Sequence, residues 1–210
     1  MVLIIGNIIY VLTLRIADRF IRTTNYKPQT SNQLPAFLYY IIPAIIVLTL
    51  AAYFLQEKFI FKPERLSPDF QFRYDVPFNE LNFDVEPGVR INGLHFYREQ
   101  PKGLILYFHG NSRSIKGWAK YAKDFYRYDY DVVLVDYRGF GKSTGKRSEK
   151  EMLADMQFVY ESLTKKIPEH HMIVYGRSIG SGFAAKVASD NKPRYLILDA
   201  PYYSFRKVAE

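Results

Sequence analysis

A serine between two glycines, in Gly176-Arg177-Ser178-Ile179-Gly180, has the spacing that nucleophilic chemistry needs. In this G-x-S-x-G pattern the serine hydroxyl stands on a sharp turn between a strand and a helix, where a substrate can reach it. Residues 171–175 are apolar enough for a buried strand, and apolar residues at helical spacing follow from Phe183. We therefore predict that Ser178 is a nucleophile and that Gly176 and Gly180 permit the turn.

A second candidate group, His109-Gly110-Asn111, follows the apolar run 104–108. A loop at this position supplies one amide of an oxyanion hole, and the residue after the nucleophile supplies the other. The spacing predicts the backbone N–H groups of Asn111, with Ser112 as the alternative, and of Ile179 as the two donors. Gly110 lets the backbone approach closely. We interpret His109 as a residue that shapes the turn, not as a general base.

A glycine-rich segment, residues 136–145, looks at first like a phosphate-binding loop. The spacing fails, because such a loop needs a glycine five residues before the glycine of its Gly-Lys-Ser, and position 136 is aspartate. We interpret the segment as a turn in which Asp136 and Arg138 brace neighbouring loops. Its predicted place is the sheet edge where ligands of open α/β sheets bind.

The composition excludes several classes of protein. Among 210 residues, 48% are hydrophobic and 17% aromatic, which excludes a disordered chain. The net charge of +8 comes from scattered basic residues without an aromatic-and-basic recognition motif, so we expect no nucleic acid. We expect a solvated basic surface, with attraction to an anionic membrane or substrate as the alternative. Without cysteine there is no disulfide or thiolate chemistry, and the four histidines lack ligand spacing, so we expect no metal and no cofactor.

The N-terminal quarter carries a long apolar run. Residues 36–55 are uncharged and would form a helix of about 30 Å, the thickness of a bilayer's hydrocarbon core. We predict a single-pass transmembrane helix that contacts the lipid bilayer there. Residues 1–35 begin with a shorter apolar stretch, for which an interfacial helix and a marginal first span both remain open. The positive-inside rule slightly favours a cytoplasmic N-terminal segment, with the globular domain on the other face.

The remainder alternates strand and helix. A linker, residues 56–77, precedes a domain at 78–210, in which a turn signal at Glu86-Pro87-Gly88 predicts a hairpin. Short apolar runs then alternate with helical periods, as in a mostly parallel sheet with helices on both faces. The runs are 104–108, 132–135, 171–175 and 195–198, and the helical periods cover 115–126 and 153–163. Ser148 and Glu151 predict a capping box at the start of one helix.

Together these motifs closely resemble the α/β-hydrolase superfamily. The motifs occur in the order typical of that superfamily. They are the strand, the His-Gly-Asn loop, the Asp-Tyr-Arg-Gly-x-Gly-x-Ser turn, the elbow at Ser178 and the Ala200-Pro201-Tyr202-Tyr203-Ser204 turn. The chain is similar in particular to membrane-anchored serine hydrolases of the serine-aminopeptidase-like and acyl-protein-thioesterase-like kind. The resemblance covers about residues 59–210. It implies an α/β-hydrolase fold, Ser178 as nucleophile, and Asn111 and Ile179 at the oxyanion hole.

The resemblance also implies two residues that are not found at their usual places. In this superfamily an acid follows the seventh strand and a histidine the eighth, whereas this sequence has no histidine after Ser178. Asp199, at the end of the sixth strand, is the minor candidate for the acid. We therefore expect a C-terminally truncated serine hydrolase that cleaves an ester, thioester or amide and is inactive or severely impaired as it stands. The alternative is a catalytically inactive membrane-bound binding module on the same fold.

Overall fold

The computed structural model describes Arg15, Arg19 and residues 38–201. Residues 1–14 and the Tyr202-Tyr203-Ser204 part of the predicted turn lie outside this part of the chain. The chain divides into two compact units, of which one holds the residues up to Ile60 and the other is Phe61–Tyr203.

The first unit contains helix α1, Leu38–Ile60, with Pro43 inside it. Its start agrees with the apolar run at 36–55, and the helix continues five residues beyond that run. Within the described residues, no helix is both long enough and apolar enough to cross a membrane. This finding does not support the predicted transmembrane span, which stays a prediction.

The second unit is built on a six-stranded sheet and a two-stranded one. The strands are β1 Lys62–Pro63, β2 Phe78–Glu86, β3 Val89–Phe96, β4 Leu104–Phe108, β5 Ser112–Arg113, β6 Asp131–Val135, β7 Met172–Arg177 and β8 Tyr195–Asp199. The helices are α2 Ile115–Trp118, α3 Ala122–Tyr126, α4 Glu149–Thr164 and α5 Gly180–Asp190, with 3₁₀ turns at Ala119–Tyr121 and Glu169–His171.

The large sheet has the order β2-β3-β6-β4-β7-β8. The β2–β3 and β3–β6 pairs are antiparallel, and the other three pairs are parallel. The predicted hairpin and mostly parallel sheet are therefore confirmed. Every residue of β4 and of β6 is buried, as expected of central strands covered on both faces.

Two local predictions differ in detail from the structure. The predicted linker 56–77 contributes to the core, because Phe61 and Phe72 within it are buried. Its residues 62–63 also pair with β5. At the start of α4, the Ser148 side chain accepts a hydrogen bond from the Glu151 amide at 3.4 Å, which is half of the predicted capping box.

Candidate active site

Ser178 lies on the turn between β7 and α5. Its φ of 53° places a non-glycine residue in the left-handed region, and the residue is exposed. The Ser178 amide donates to the Asp199 carbonyl at 2.9 Å, and the Ser178 carbonyl accepts from the Ser181 amide at 2.9 Å. Backbone contacts on both sides therefore hold this strained serine at the surface.

The two glycines of the motif have no room for a side chain. A Cβ on Gly180 would lie 2.2 Å from the Phe108 carbonyl oxygen, and one on Gly176 would lie 2.4 Å from the Gly180 carbonyl oxygen. In both places the obstacle is backbone, which cannot swing aside as a side chain can. The G-x-S-x-G spacing is therefore a steric requirement of packing α5 against the end of β4.

The His109-Gly110-Asn111 loop lies next to this turn. A Cβ on Gly110 would come within 3.8 Å of the Ser178 Cβ and within 3.0 Å of the Trp118 ring. The Asn111 carbonyl accepts from the Lys62 amide at 2.9 Å, which ties the loop to β1. The fold thus brings together the two segments that the sequence singled out, and Ile179 is buried beside them.

His109 is fully buried and both of its ring nitrogens have partners. Nδ1 lies 2.7 Å from the Gly110 carbonyl oxygen, and Nε2 lies 3.1 Å from Asp136 Oδ1. The ring also stacks on Trp118, with centroids 5.8 Å apart. These contacts confirm the interpretation of His109 as a residue that shapes the turn.

Asp136 and Arg138 brace the loops around the site, as predicted. Asp136 Oδ1 also accepts from the Ile115 amide at 2.9 Å, and burial raises the pKa of its carboxyl group. Arg138 donates to both carboxylate oxygens of Asp155, at 2.6 and 2.8 Å, and to Glu86 at 2.6 Å. Arg138 is thus paired with two carboxylates, whereas the buried Asp136 Oδ2 has no hydrogen-bond partner among the described residues.

Asp199 lies at the end of β8, one strand away from Ser178. Its carboxylate accepts from the Tyr175 hydroxyl at 2.6 Å and lies 3.3 Å from the Arg177 Nε. Burial raises the pKa of the Tyr175 hydroxyl, which therefore stays a donor. The Arg177 guanidinium in turn lies over the Trp118 ring, 5.8 Å from its centroid. The sequence pattern does not predict these contacts among Tyr175, Arg177 and Trp118.

All four histidines belong to the described part of the chain, and three of them lie away from the serine. His95 pairs with Asp131 at 2.9 Å, at the end of the sheet where β6 begins. His170 and His171 precede β7, at the opposite end of that strand from Ser178. Among the described residues, no group of three His, Asp or Glu side chains could hold a metal ion.

The fold and the strand–serine–helix turn define the class of protein as an α/β hydrolase. The family model described as serine aminopeptidase, S33, matches residues 99–209, more than half of the chain. The chain therefore belongs to this family of α/β-hydrolase serine hydrolases.

Two curated relatives share part of the chain. Lysophosphatidylserine lipase ABHD12 of Danio rerio is 32% identical over 114 residues, which are 51% of this chain and 30% of the relative. Protein bem46 of Schizosaccharomyces pombe is 34% identical over 143 residues, which are 64% of this chain and 48% of the relative. The chain thus spans less than half the length of either relative.

Solved structures agree on the fold. An α/β hydrolase from Vibrio vulnificus superposes with a TM-score of 0.54 at 26% identity, covering 62% of this chain and 48% of the other. The Pyrococcus furiosus esterase Pf2001 superposes with a TM-score of 0.53 at 21% identity, covering 67% of this chain and 58% of the other.

Proposed function

We propose that Ser178 is the nucleophile of a hydrolase that cleaves an ester, thioester or amide through an acyl-enzyme. The observation that carries the proposal is the positive φ of an exposed serine at a strand-to-helix turn. A residue held in a sparsely populated backbone conformation costs about 1–3 kcal/mol, and such residues cluster at active sites. Gly176 and Gly180, where a Cβ would clash with backbone atoms, support the same assignment.

In the proposed reaction the Ser178 Oγ attacks the substrate carbonyl carbon and the bond to the leaving group breaks. The hydroxyl proton of Ser178 passes to the leaving group as the acyl-enzyme forms. Water then attacks the acyl group and releases the acid. The backbone N–H groups of Asn111 and Ile179 are the proposed oxyanion donors. Loss of one such donor costs about 2.7–4 kcal/mol of transition-state stabilisation elsewhere. The closeness of Gly110 to Ser178, whose Cβ would lie 3.8 Å from a Cβ on Gly110, supports this pairing of segments.

The proposed substrate is a lipid ester, and the proposed location is a membrane. The Danio rerio relative carries the name of a lysophosphatidylserine lipase, which supports a lipid acyl group. Attachment to the bilayer through residues 36–55 is supported by apolar side chains that stand exposed on α1, including Ile46, Val47 and Leu48. Carbonate extraction of membranes tests the attachment: release of the wild-type chain into the supernatant would contradict it.

Labelling with a fluorophosphonate probe tests the nucleophile. In the full-length gene product we expect wild-type protein to be labelled and Ser178→Ala to lose the label. Ser189→Ala is the matched control, because Ser189 is exposed on helix α5, which follows Ser178, and this variant should label as wild type does. Equal labelling of Ser178→Ala and wild type would refute the assignment. An unlabelled wild type that still binds a lysophospholipid would instead favour the inactive binding module.

A further inference from the structure

Two arginines from distant parts of the chain converge on one glycine. The Arg147 Nη1 lies 3.0 Å, and the Arg65 Nη2 lies 3.5 Å, from the point that a Cβ on Gly139 would occupy. Two guanidinium groups are always protonated under ordinary conditions, so they repel each other. One small anion at this place would contact both groups and remove the repulsion.

No carboxylate in the described part of the chain lies within 4.0 Å of the charged nitrogens of either arginine. Neither arginine forms an ion pair there, and the neighbouring Glu64 is already engaged by Lys116 and Ser114, each at 2.9 Å. The Arg147 Nε is moreover buried without a hydrogen-bond partner. A buried donor without a partner is costly, and it leaves the positive charge of Arg147 without a bonded acceptor at that end of the guanidinium group. An anion at Gly139 would instead contact the Nη atoms of the two arginines.

The backbone around the two arginines is held in place. The Gly141 amide donates to the Glu64 carbonyl at 2.8 Å, and the Leu66 amide donates to the Gly141 carbonyl at 3.0 Å. The Arg147 guanidinium also lies over the Phe61 ring, 6.0 Å from its centroid. These contacts fix the segment of Arg65 against the glycine-rich turn. Little conformational freedom therefore remains to be lost when an anion binds.

We propose that Arg65 and Arg147 form a binding site for a phosphate group beside Gly139. The planar fork of each guanidinium presents paired N–H donors that match two phosphate oxygens. Arg65 is exposed and Arg147 half-buried, so an anion can reach them from solvent. The phosphate belongs either to a lipid headgroup or to a free phosphorylated solute. This site is separate from Ser178, so the proposal does not depend on the proposed function.

Substitutions at Gly139 test the site from within. In Gly139→Asp the new carboxylate lies against both guanidinium groups and competes with an external anion. In Gly139→Asn the side chain has the same shape without the charge, and both residues tolerate the positive φ of 72°. Inorganic phosphate binding is measured by calorimetry at constant ionic strength. We expect wild type to bind and Gly139→Asn to bind more weakly, because its side chain occupies space beside the Arg147 Nη1. Gly139→Asp should lose at least a further tenfold in affinity relative to Gly139→Asn, because only its carboxylate pairs with the two guanidinium groups.

Substitution of the two arginines tests whether their charges bind the phosphate. Arg65→Gln/Arg147→Gln should lose phosphate binding, while Arg73→Gln/Lys166→Gln removes the same charge from exposed positions and should keep it. Sedimentation with phosphatidylcholine vesicles, with and without phosphatidic acid, distinguishes the two sources. A preference for phosphatidic acid that only the first double variant loses assigns the site to a lipid headgroup. Phosphate binding without such a preference assigns it to a free solute.

Two outcomes would overturn the proposal. The first is the absence of both phosphate binding and vesicle preference in the wild-type protein. The second is an equal loss in the two double variants, because that loss would reflect net charge alone. Ser178→Ala should bind phosphate as wild type does.

Discussion

The two flanks of Ser178 use the same kinds of group in opposite surroundings. The inner flank, formed by His109, Asp136 and Arg138, is buried, and its Asp136 side chain is 0% exposed. The outer flank, formed by Tyr175, Arg177 and Asp199, has a carboxylate that is 36% exposed. Water screens the second set and not the first. We therefore expect the inner flank to determine stability and the outer flank to contribute little.

Asp136→Ala should have the largest effect. The substitution leaves the Ile115 amide and the His109 Nε2 without their partner in the interior, so we expect a loss of about 3–5 kcal/mol in the free energy of unfolding. Urea denaturation measures it. Asp136→Asn keeps an acceptor oxygen and should lose less. A loss below about 1 kcal/mol in the alanine variant would contradict the expectation that the inner flank determines stability.

The pH dependence of the free energy of unfolding tests the burial of the Asp136 carboxyl group directly. Because burial raises the pKa of the Asp136 carboxyl group in the folded state, folding favours its protonated form. This contribution is present below the unfolded pKa of 3.8 and is lost as the pH rises through the folded pKa. Asp136→Asn, which cannot ionise, should therefore gain stability relative to wild type as the pH rises.

Paired urea titrations of wild type and Asp136→Asn between about pH 4 and pH 8 measure this difference. The slope is limited to about 1.4 kcal/mol per pH unit for one group. A stability of Asp136→Asn relative to wild type that stays constant, or falls, as the pH rises would contradict the raised pKa. Asp199→Asn serves as the control on the outer flank.

Asp199→Ala should cost much less than Asp136→Ala. The lost contacts are a hydrogen bond from Tyr175 and a partly exposed pair with Arg177, which together contribute about 1 kcal/mol. The backbone carbonyl that holds the Ser178 amide remains in the variant. Urea denaturation again gives the value. A loss equal to that of Asp136→Ala would show that exposure does not separate the two flanks.

The sequence predicted best what is encoded locally. The apolar runs at β4, β6, β7 and β8 and the turn at Glu86-Pro87-Gly88 were placed within about two residues. The positive φ of Ser178 also follows from its glycine spacing. In each of these places the signal lies within a few consecutive residues.

Contacts between distant residues were not predicted. The pairing of β1 with β5 joins Lys62 to Ser112, and the convergence of Arg65 on Gly139 joins two loops. The helix expected from Ile115 to Tyr126 is divided by a 3₁₀ turn that follows Trp118. The Trp118 indole donates to the Ser112 carbonyl at 2.7 Å, a contact that apolar periodicity does not encode. Tertiary partners decided each of these features.

The outer flank ends in an edge strand with exposed apolar side chains. Tyr195, Leu196, Ile197 and Leu198 of β8 are 55%, 41%, 40% and 39% exposed, and in the described residues β8 pairs only with β7. An exposed apolar edge favours pairing with another chain. We therefore expect the 210-residue chain to self-associate in detergent.

Ile197→Lys should reduce that association while changing stability by less than about 0.5 kcal/mol, because a lysine on an edge strand opposes pairing and replaces a side chain that is partly in solvent. Sedimentation velocity over a range of protein concentrations measures the association. Tyr128→Lys is the control, since Tyr128 is 63% exposed and lies in a turn away from the edge. A wild-type chain that is monomeric and unfolds cooperatively would show that the exposed face of β8 does not pair. The inner and outer flanks would then differ only in the burial of their polar groups.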